Sequence, residues 1–142
     1  MEKLGRETES IMAERFSKDT VIALATERQG RPYVRYVNAY YENRSFYVIT
    51  YGLSAKMRQI KENPAVSIAG DWFTAQGKGE NLGYFHKEEN REIAGKLEKA
   101  FSSWIHNGHN DFSDENTCIL RLRLEEGVLF SQGTRYDIDF TE

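Results

Sequence analysis

The chain has 142 residues, 39% of them hydrophobic, with eight Tyr, eight Phe and two Trp. That length fits one domain spanning residues 1–142, and the aromatic content is too high for a disordered chain. The net charge of -3 comes without a basic stripe, which argues against non-specific nucleic-acid binding. No apolar run approaches the roughly 20 residues needed to cross a bilayer, and Met1-Glu2-Lys3-Leu4 lacks the apolar stretch of a secretory signal. A single cysteine, Cys118, permits no internal disulfide, so the expected compartment is the cytoplasm.

Met1 to Lys18 reads as a helix with Leu4, Ile11, Met12 and Phe16 on its apolar side. Val21 to Thr26 is a short buried strand, and Arg28-Gln29-Gly30-Arg31 a turn, because glycine takes the positive φ of a tight reversal. Tyr33 to Tyr41 is strand-like, Glu42-Asn43-Arg44 turns the chain, and Ser45 to Tyr51 is a further strand. Turns this short make the strands antiparallel neighbours. A short helix follows, N-capped by Ser54 and ended by Asn63-Pro64.

Ala65 to Trp72 returns to strand and continues through Phe73 to Gln76, with a bend or bulge expected at Gly77-Lys78-Gly79. Lys87 to Ile105 is the clearest helix, with Ile93, Leu97, Ala100, Phe101 and Trp104 on one face. Cys118, Leu120, Leu122 and Leu124 alternate with Ile119, Arg121 and Arg123 in a half-buried strand. A turn at Glu125-Glu126-Gly127 then leads to Val128–Ser131, and Gln132-Gly133-Thr134 precedes a short tail. About six antiparallel strands with a few helices favour a small barrel or sandwich of α+β type.

One stretch carries chemistry. The helix after the third strand opens with a hydroxyl, Ser54, and an ammonium, Lys56. Its free N–H groups, the positive end of its dipole and these two side chains would converge on an anion. Arg35, two strands earlier, offers a bidentate fork to the same group, and a phosphate is the natural occupant. A serine cap beside a lysine is also ordinary on surface helices, and taken alone that reading is the commoner. His106 and His109 flank a turn without a third ligand at a diagnostic spacing, so no metal site is expected. Cys118 reads as a small core residue.

Arg-x-Val at Arg35–Val37, the aromatic-rich strand ending in Thr50, and Ser-x-Lys opening a helix that closes on Glu62-Asn63-Pro64 resemble the FMN-binding core of the pyridoxamine 5'-phosphate oxidase-like family. The segments Gly77–Gly83 and Leu129–Asp137 resemble an oxidase-related branch of it. The resemblance implies an antiparallel six-stranded split β-barrel of Greek-key type with flanking helices. It also implies a homodimer with FMN between the subunits. On that basis Arg35, Ser54 and Lys56 hold the phosphate, Tyr36, Val37 and Asn38 run beside the ring and ribityl chain, and Ile49 and Thr50 approach from the next strand. Trp72 and Gln76 would reach the cofactor from the partner subunit, and Arg135 and Tyr136 would contact substrate.

The implied function is that of a flavoprotein oxidoreductase acting on a small molecule, with NAD(P)H as an electron donor. The alternatives are a non-catalytic or stress-related FMN-binding protein, or a barrel that binds haem or a deazaflavin. The family oxidases carry a second basic residue where this chain has Ala55, and a lysine where it has Tyr40. Around pyridoxal phosphate they place an arginine, a histidine and a further arginine, of which only Arg135 has a counterpart here. These departures argue against oxidation of pyridoxamine phosphate itself.

Overall fold

In the computed structural model, which describes residues Met1–Glu142, strand β7 (Thr117–Ser131) runs the full height of a barrel and organises it. Six strands close on themselves: β2 (Thr20–Arg28), β3 (Arg31–Glu42), β4 (Ser45–Tyr51), β7, β6 (Phe73–Tyr84) and β5 (Ala65–Gly70), which returns to β2. Every pairing in the barrel is antiparallel. Closure is partial along β3: only Tyr40–Glu42 pair with β4, so Arg31–Ala39 keep one edge unpaired, the split in the barrel. Two further strands extend the lower half of β7: β8 (Thr134–Asp139) antiparallel to it, and β1 (Glu2–Lys3) parallel to β8. No helix is long and apolar enough to cross a membrane.

Alternation sorts each strand into two faces. Ile22, Leu24, Ala39, Tyr41, Phe46, Val48, Leu120, Leu122 and Leu124 point inward and are buried. Phe16, Phe46, Phe73 and Phe140 form a chain of aromatic contacts through this core, with ring centroids 5.4 to 6.3 Å apart. Helix α1 (Arg6–Phe16) packs Met12 and Phe16 into one end of the barrel. Helix α2 (Ala55–Glu62) packs Met57 and Ile60 into the other. A second, smaller core lies outside the barrel. Helix α3 (Arg91–Ala100) and the turns after it lay Ala94, Leu97, Phe101 and Ile105 over Ile119, Tyr47, Ile49 and Tyr40.

Several expectations from the sequence need correction, among them the Lys87–Ile105 helix, which is α-helical only over Arg91–Ala100 and continues as turns. The N-terminal helix is shorter than Met1–Lys18, because Gly5 caps it and residues 2–3 pair with β8; the Leu4 N–H donates to the Asp139 carbonyl at 2.9 Å. Ala65 to Gln76 is not one strand: Asp71 and Trp72 form a tight corner, with Trp72 at φ 51°. Glu125-Glu126-Gly127 is not a turn. The strand runs straight through it, and the tail after Gly133 is β8 rather than coil.

What stands at Glu125 is a bulge. Gln76 pairs with Glu126 and Gly77 with Leu124, leaving Glu125 without a partner on β6, while its carbonyl accepts from the Phe140 N–H at 2.9 Å. The expected irregularity at Gly77 is therefore real, and its cause is contact. A Cβ at Gly77 would lie 2.1 Å from the Arg123 carbonyl oxygen, and one at Gly127 would lie 2.9 Å from that of Thr74. Both glycines let β6 and β7 approach where the barrel closes.

Candidate functional site

The α2 end of the barrel gathers its unusual chemistry. Arg35 sits on the inward face of β3 with Ala39 and Tyr41, but near the strand's start, so its guanidinium emerges at the barrel mouth under α2. There its Nη1 donates to Thr26 Oγ1 at 2.7 Å and to the Leu24 carbonyl at 3.3 Å, and its Nη2 donates to Gln59 Oε1 at 3.2 Å. Thr26 also donates to Gln59 Oε1, tying β2, β3 and α2 together. A guanidinium has five N–H donors, and these bonds leave Nε–H and one Nη2–H free, a side-on fork suited to two oxygens of one anion. Burial pulls the Arg35 pKa below its ordinary value.

Lys56 lies on the first turn of α2, and its Nζ donates to Thr50 Oγ1 at 2.6 Å. Burial pulls its pKa down, and the positive field of Arg35 adds to the shift. The seven salt bridges of the chain include neither cation. Two desolvated positive charges that repel each other without a carboxylate are unfavourable for folding alone.

Ser54 occupies the N-cap position of α2 with extended backbone (φ -67°, ψ 162°), as its residue type predicts, yet its hydroxyl makes no cap bond. The Oγ is shielded from solvent and has no hydrogen-bond partner at all. The N–H groups of a helix's first turn have no intrahelical acceptor either. An orphaned hydroxyl, an unpaired ammonium and a half-engaged guanidinium thus meet at a helix N-terminus. These donors fit a phosphate. A cleft of about 300 Å³ lined by Arg28, Ala55, Arg58, Gln59 and Glu62 adjoins Gln59.

The other expected contacts divide by face. Tyr36 points outward and is 82% exposed. Val37 points inward and packs on the barrel core. Asn38 points outward and donates to Asp19 Oδ1 at 3.0 Å. Thr50 is buried as the acceptor for Lys56, whereas Ile49 faces outward beneath the α3 cluster.

Trp72 is 71% exposed at the β5–β6 corner, edge-on to Phe130 at 6.1 Å, and Gln76 is exposed on β6. Arg135 is held by Asp137 at 2.9 Å, and the Tyr136 hydroxyl donates to Glu7 at 2.8 Å. Thr50 pairs with Cys118 and Arg135 with Phe130, so roughly 40 Å of β7 strand separates them within one chain. The structure brings Arg35, Thr50, Ser54 and Lys56 together and leaves Trp72, Arg135 and Tyr136 at the opposite end.

Sequence reasoning missed Thr26, Gln59 and Asp19. Thr26 had a signal, since it shares the inward parity of Ile22 and Leu24. Gln59 is almost buried beside Ile60 although its type predicts exposure. Asp19 lies in a linker and had none.

A six-stranded antiparallel barrel with these connections, capped at one end by a helix that bears Lys56 and binds Arg35 through Gln59, is a split barrel. The chain belongs to the pyridoxamine 5'-phosphate oxidase family, whose model matches residues 9–129. Comparison of the sequence with curated proteins gives no match. Similar solved structures include a NimC/NimA family protein from Clostridium acetobutylicum, 21% identical with a TM-score of 0.66, covering 89% of this chain and 91% of that one. A FAD-binding protein from Mesorhizobium loti is 19% identical with a TM-score of 0.62, covering 87% and 92%. A heme-binding protein from Mycobacterium smegmatis is 15% identical with a TM-score of 0.66, covering 87% of this chain and 54% of that one.

Proposed function

We propose that this protein is a single-domain, FMN-binding flavoprotein that works as an oxidoreductase on a small molecule. The observation that carries the reading is the buried, partnerless Ser54 hydroxyl at the N-cap of the helix that bears Lys56, with Arg35 bonded to the same helix and no carboxylate paired with either cation. A phosphate monoester satisfies all three, and flavin mononucleotide is the flavin that ends in one. The family assignment supports a flavin in this site, and the FAD named for the Mesorhizobium loti protein supports the ring system but not the monoester. When bound, FMN supplies reversible hydride and electron transfer, with NAD(P)H as its donor.

The chain's own residues bind and orient. Arg35 offers its free fork, Lys56 its two remaining N–H donors and Ser54 its hydroxyl. Tyr36, Val37 and Asn38 line the path along β3, and Ile49 and Thr50 line β4. Substrate proton transfer is assigned to none of these side chains.

The reading includes a homodimer. Val34, Tyr36 and Trp72 are large apolar side chains each more than 70% exposed, an arrangement expected of an interface. A site that uses Lys56 together with Arg135 or Tyr136 needs two copies, given their separation along β7.

The test is the visible spectrum of the purified protein, with the released cofactor identified by mass. Yellow protein that releases FMN is expected, and Lys56→Ala should weaken FMN binding by about 1.5–3 kcal/mol, the range for a charge-assisted bond. Colourless protein that takes up no added FMN overturns the proposal. Reduction by NADH or NADPH in stopped flow then separates an oxidoreductase from a passive binder.

A further inference from the structure

Three segments distant in sequence meet on the outer face of β3. Asp19, in the linker between α1 and β2, accepts Asn38 Nδ2 on Oδ1 at 3.0 Å and Trp104 Nε1 on Oδ2 at 2.9 Å. Trp104 comes from the turns after α3, where it stacks on Phe101 with centroids 4.8 Å apart. Chemistry fixes the polarity of this triad. A carboxylate only accepts and an indole N–H only donates, so the Asn38 amide must turn its NH2 toward Asp19 and its carbonyl Oδ1 the other way.

We infer that Asp19 is a positioning residue that sets the hydrogen-bond polarity of Asn38, making it display an acceptor to a donor edge of the cofactor. This rests on the flavin reading, in which Asn38 lines the ligand. The donor it recognises is a ribityl hydroxyl or the ring N–H. The Lys96 ammonium on Glu42 at 2.7 Å is a second tie between α3 and β3, so the carboxylate is presented from a braced framework.

Trp104 gives the device its direction. In Asp19→Asn the new amide must keep its oxygen on the indole, because the indole cannot accept. Its NH2 then faces Asn38, which turns over to accept with Oδ1 and now displays NH2. The exchanged pair, Asp19→Asn with Asn38→Asp, restores an acceptor on strand β3 with the same net charge and nearly the same volume. Removing the indole as well, in Asp19→Asn with Trp104→Phe, frees the amide at position 19 to turn its oxygen to Asn38.

FMN affinity is measured by flavin fluorescence quenching on the full chain. Asp19→Asn should bind about tenfold more weakly, the loss of one good hydrogen bond against a mismatched donor. The exchanged pair and the Trp104→Phe double variant should each recover to within about threefold of wild type. In the ligand-free protein, side-chain amide NMR should show the Asn38 NH2 signals moved in Asp19→Asn, with the Trp104 indole N–H still bonded. Wild-type affinity in Asp19→Asn, or an exchanged pair no better than Asp19→Asn, overturns the inference. Unmoved Asn38 signals overturn it too, and do so independently of flavin. If wild type itself takes up no FMN, the flavin reading fails, and the recognition role assigned to Asn38 falls with it.

Discussion

The ammonium of Lys56 sits within the positive field of Arg35, and both are pulled from solvent beneath the first turn of α2. Each has neutral oxygens to donate to, Thr50 for one and Thr26, Leu24 and Gln59 for the other. Neutral acceptors satisfy donors without cancelling charge. The ligand-free protein therefore retains an electrostatic penalty that an anion relieves.

Removing one cation should stabilise the ligand-free protein. Lys56→Met keeps most of the stem's packing and is expected to raise the melting temperature by roughly 2–4 °C, allowing for solvent screening of a partly exposed group. The pH dependence has a definite sign. The folded pKa of Lys56 lies below the ordinary 10.5, so between the two the unfolded chain holds more protons. The penalty is complete below the folded pKa and is lifted as pH rises toward 10.5. Thermal melts from pH 7 to 10.5 should show that rise in wild type and its reduction in Lys56→Met.

Ser54→Ala separates a cap from a ligand. A capping serine usually contributes about 1 kcal/mol to its helix, but this hydroxyl makes no cap bond. Deleting it should leave ligand-free stability unchanged or slightly higher, since a buried unpaired hydroxyl is removed. Binding of FMN should weaken by about 1 kcal/mol. Denaturant midpoints and a binding titration on the same sample check both halves, and a loss of stability alone would return Ser54 to an ordinary cap.

Two glycines should respond to alanine in opposite directions. At Gly77 the new methyl would meet the Arg123 carbonyl oxygen at 2.1 Å, and backbone cannot step aside as a side chain can. A loss of about 3 kcal/mol or more is expected in urea unfolding. At Gly95, within α3, a Cβ meets nothing within 4 Å. Gly95→Ala should gain about 0.5–1 kcal/mol through helix propensity and a less flexible unfolded chain.

Acid should release the N-terminus first. Asp139 is held at about 2 by the Thr141 hydroxyl, the Lys3 ammonium and the Thr141 backbone N–H. Its folded pKa lies below its unfolded one, so its contribution is present above 3.8 and lost as pH falls through about 2. Over that window, hydrogen exchange at Leu4, whose N–H bonds the Asp139 carbonyl, should accelerate relative to the barrel amides.

Much of this was legible in the chain because local rules and tertiary packing agree there. Ser45–Tyr51 alternates against short turns and has the expected bounds, and α2 starts and stops at Ser54 and Asn63 as their types dictate. The misreadings share a cause. Gly127 looks like a turn residue but serves close approach, and no propensity places Trp72 at positive φ. The stripe from Ile93 to Trp104 outlasts its helix, because Phe101, Trp104 and Ile105 are buried from irregular turns. Arg35, Ser54 and Lys56 were readable as donors at one end of the barrel, and the structure places them around α2. Their supports Thr26 and Gln59 were not, since which buried polar group an arginine meets depends on how strands register.

That support has a kinetic consequence. Arg35 reaches the barrel mouth with three bonds already made to Leu24, Thr26 and Gln59, and Lys56 is already anchored on Thr50. These bonds hold both long side chains in place before any ligand arrives, so on the proposed function a phosphate would meet donors that do not have to be assembled. Association should therefore be governed by diffusion and charge steering, with an on-rate that falls as salt is added and little burst of slow rearrangement afterwards.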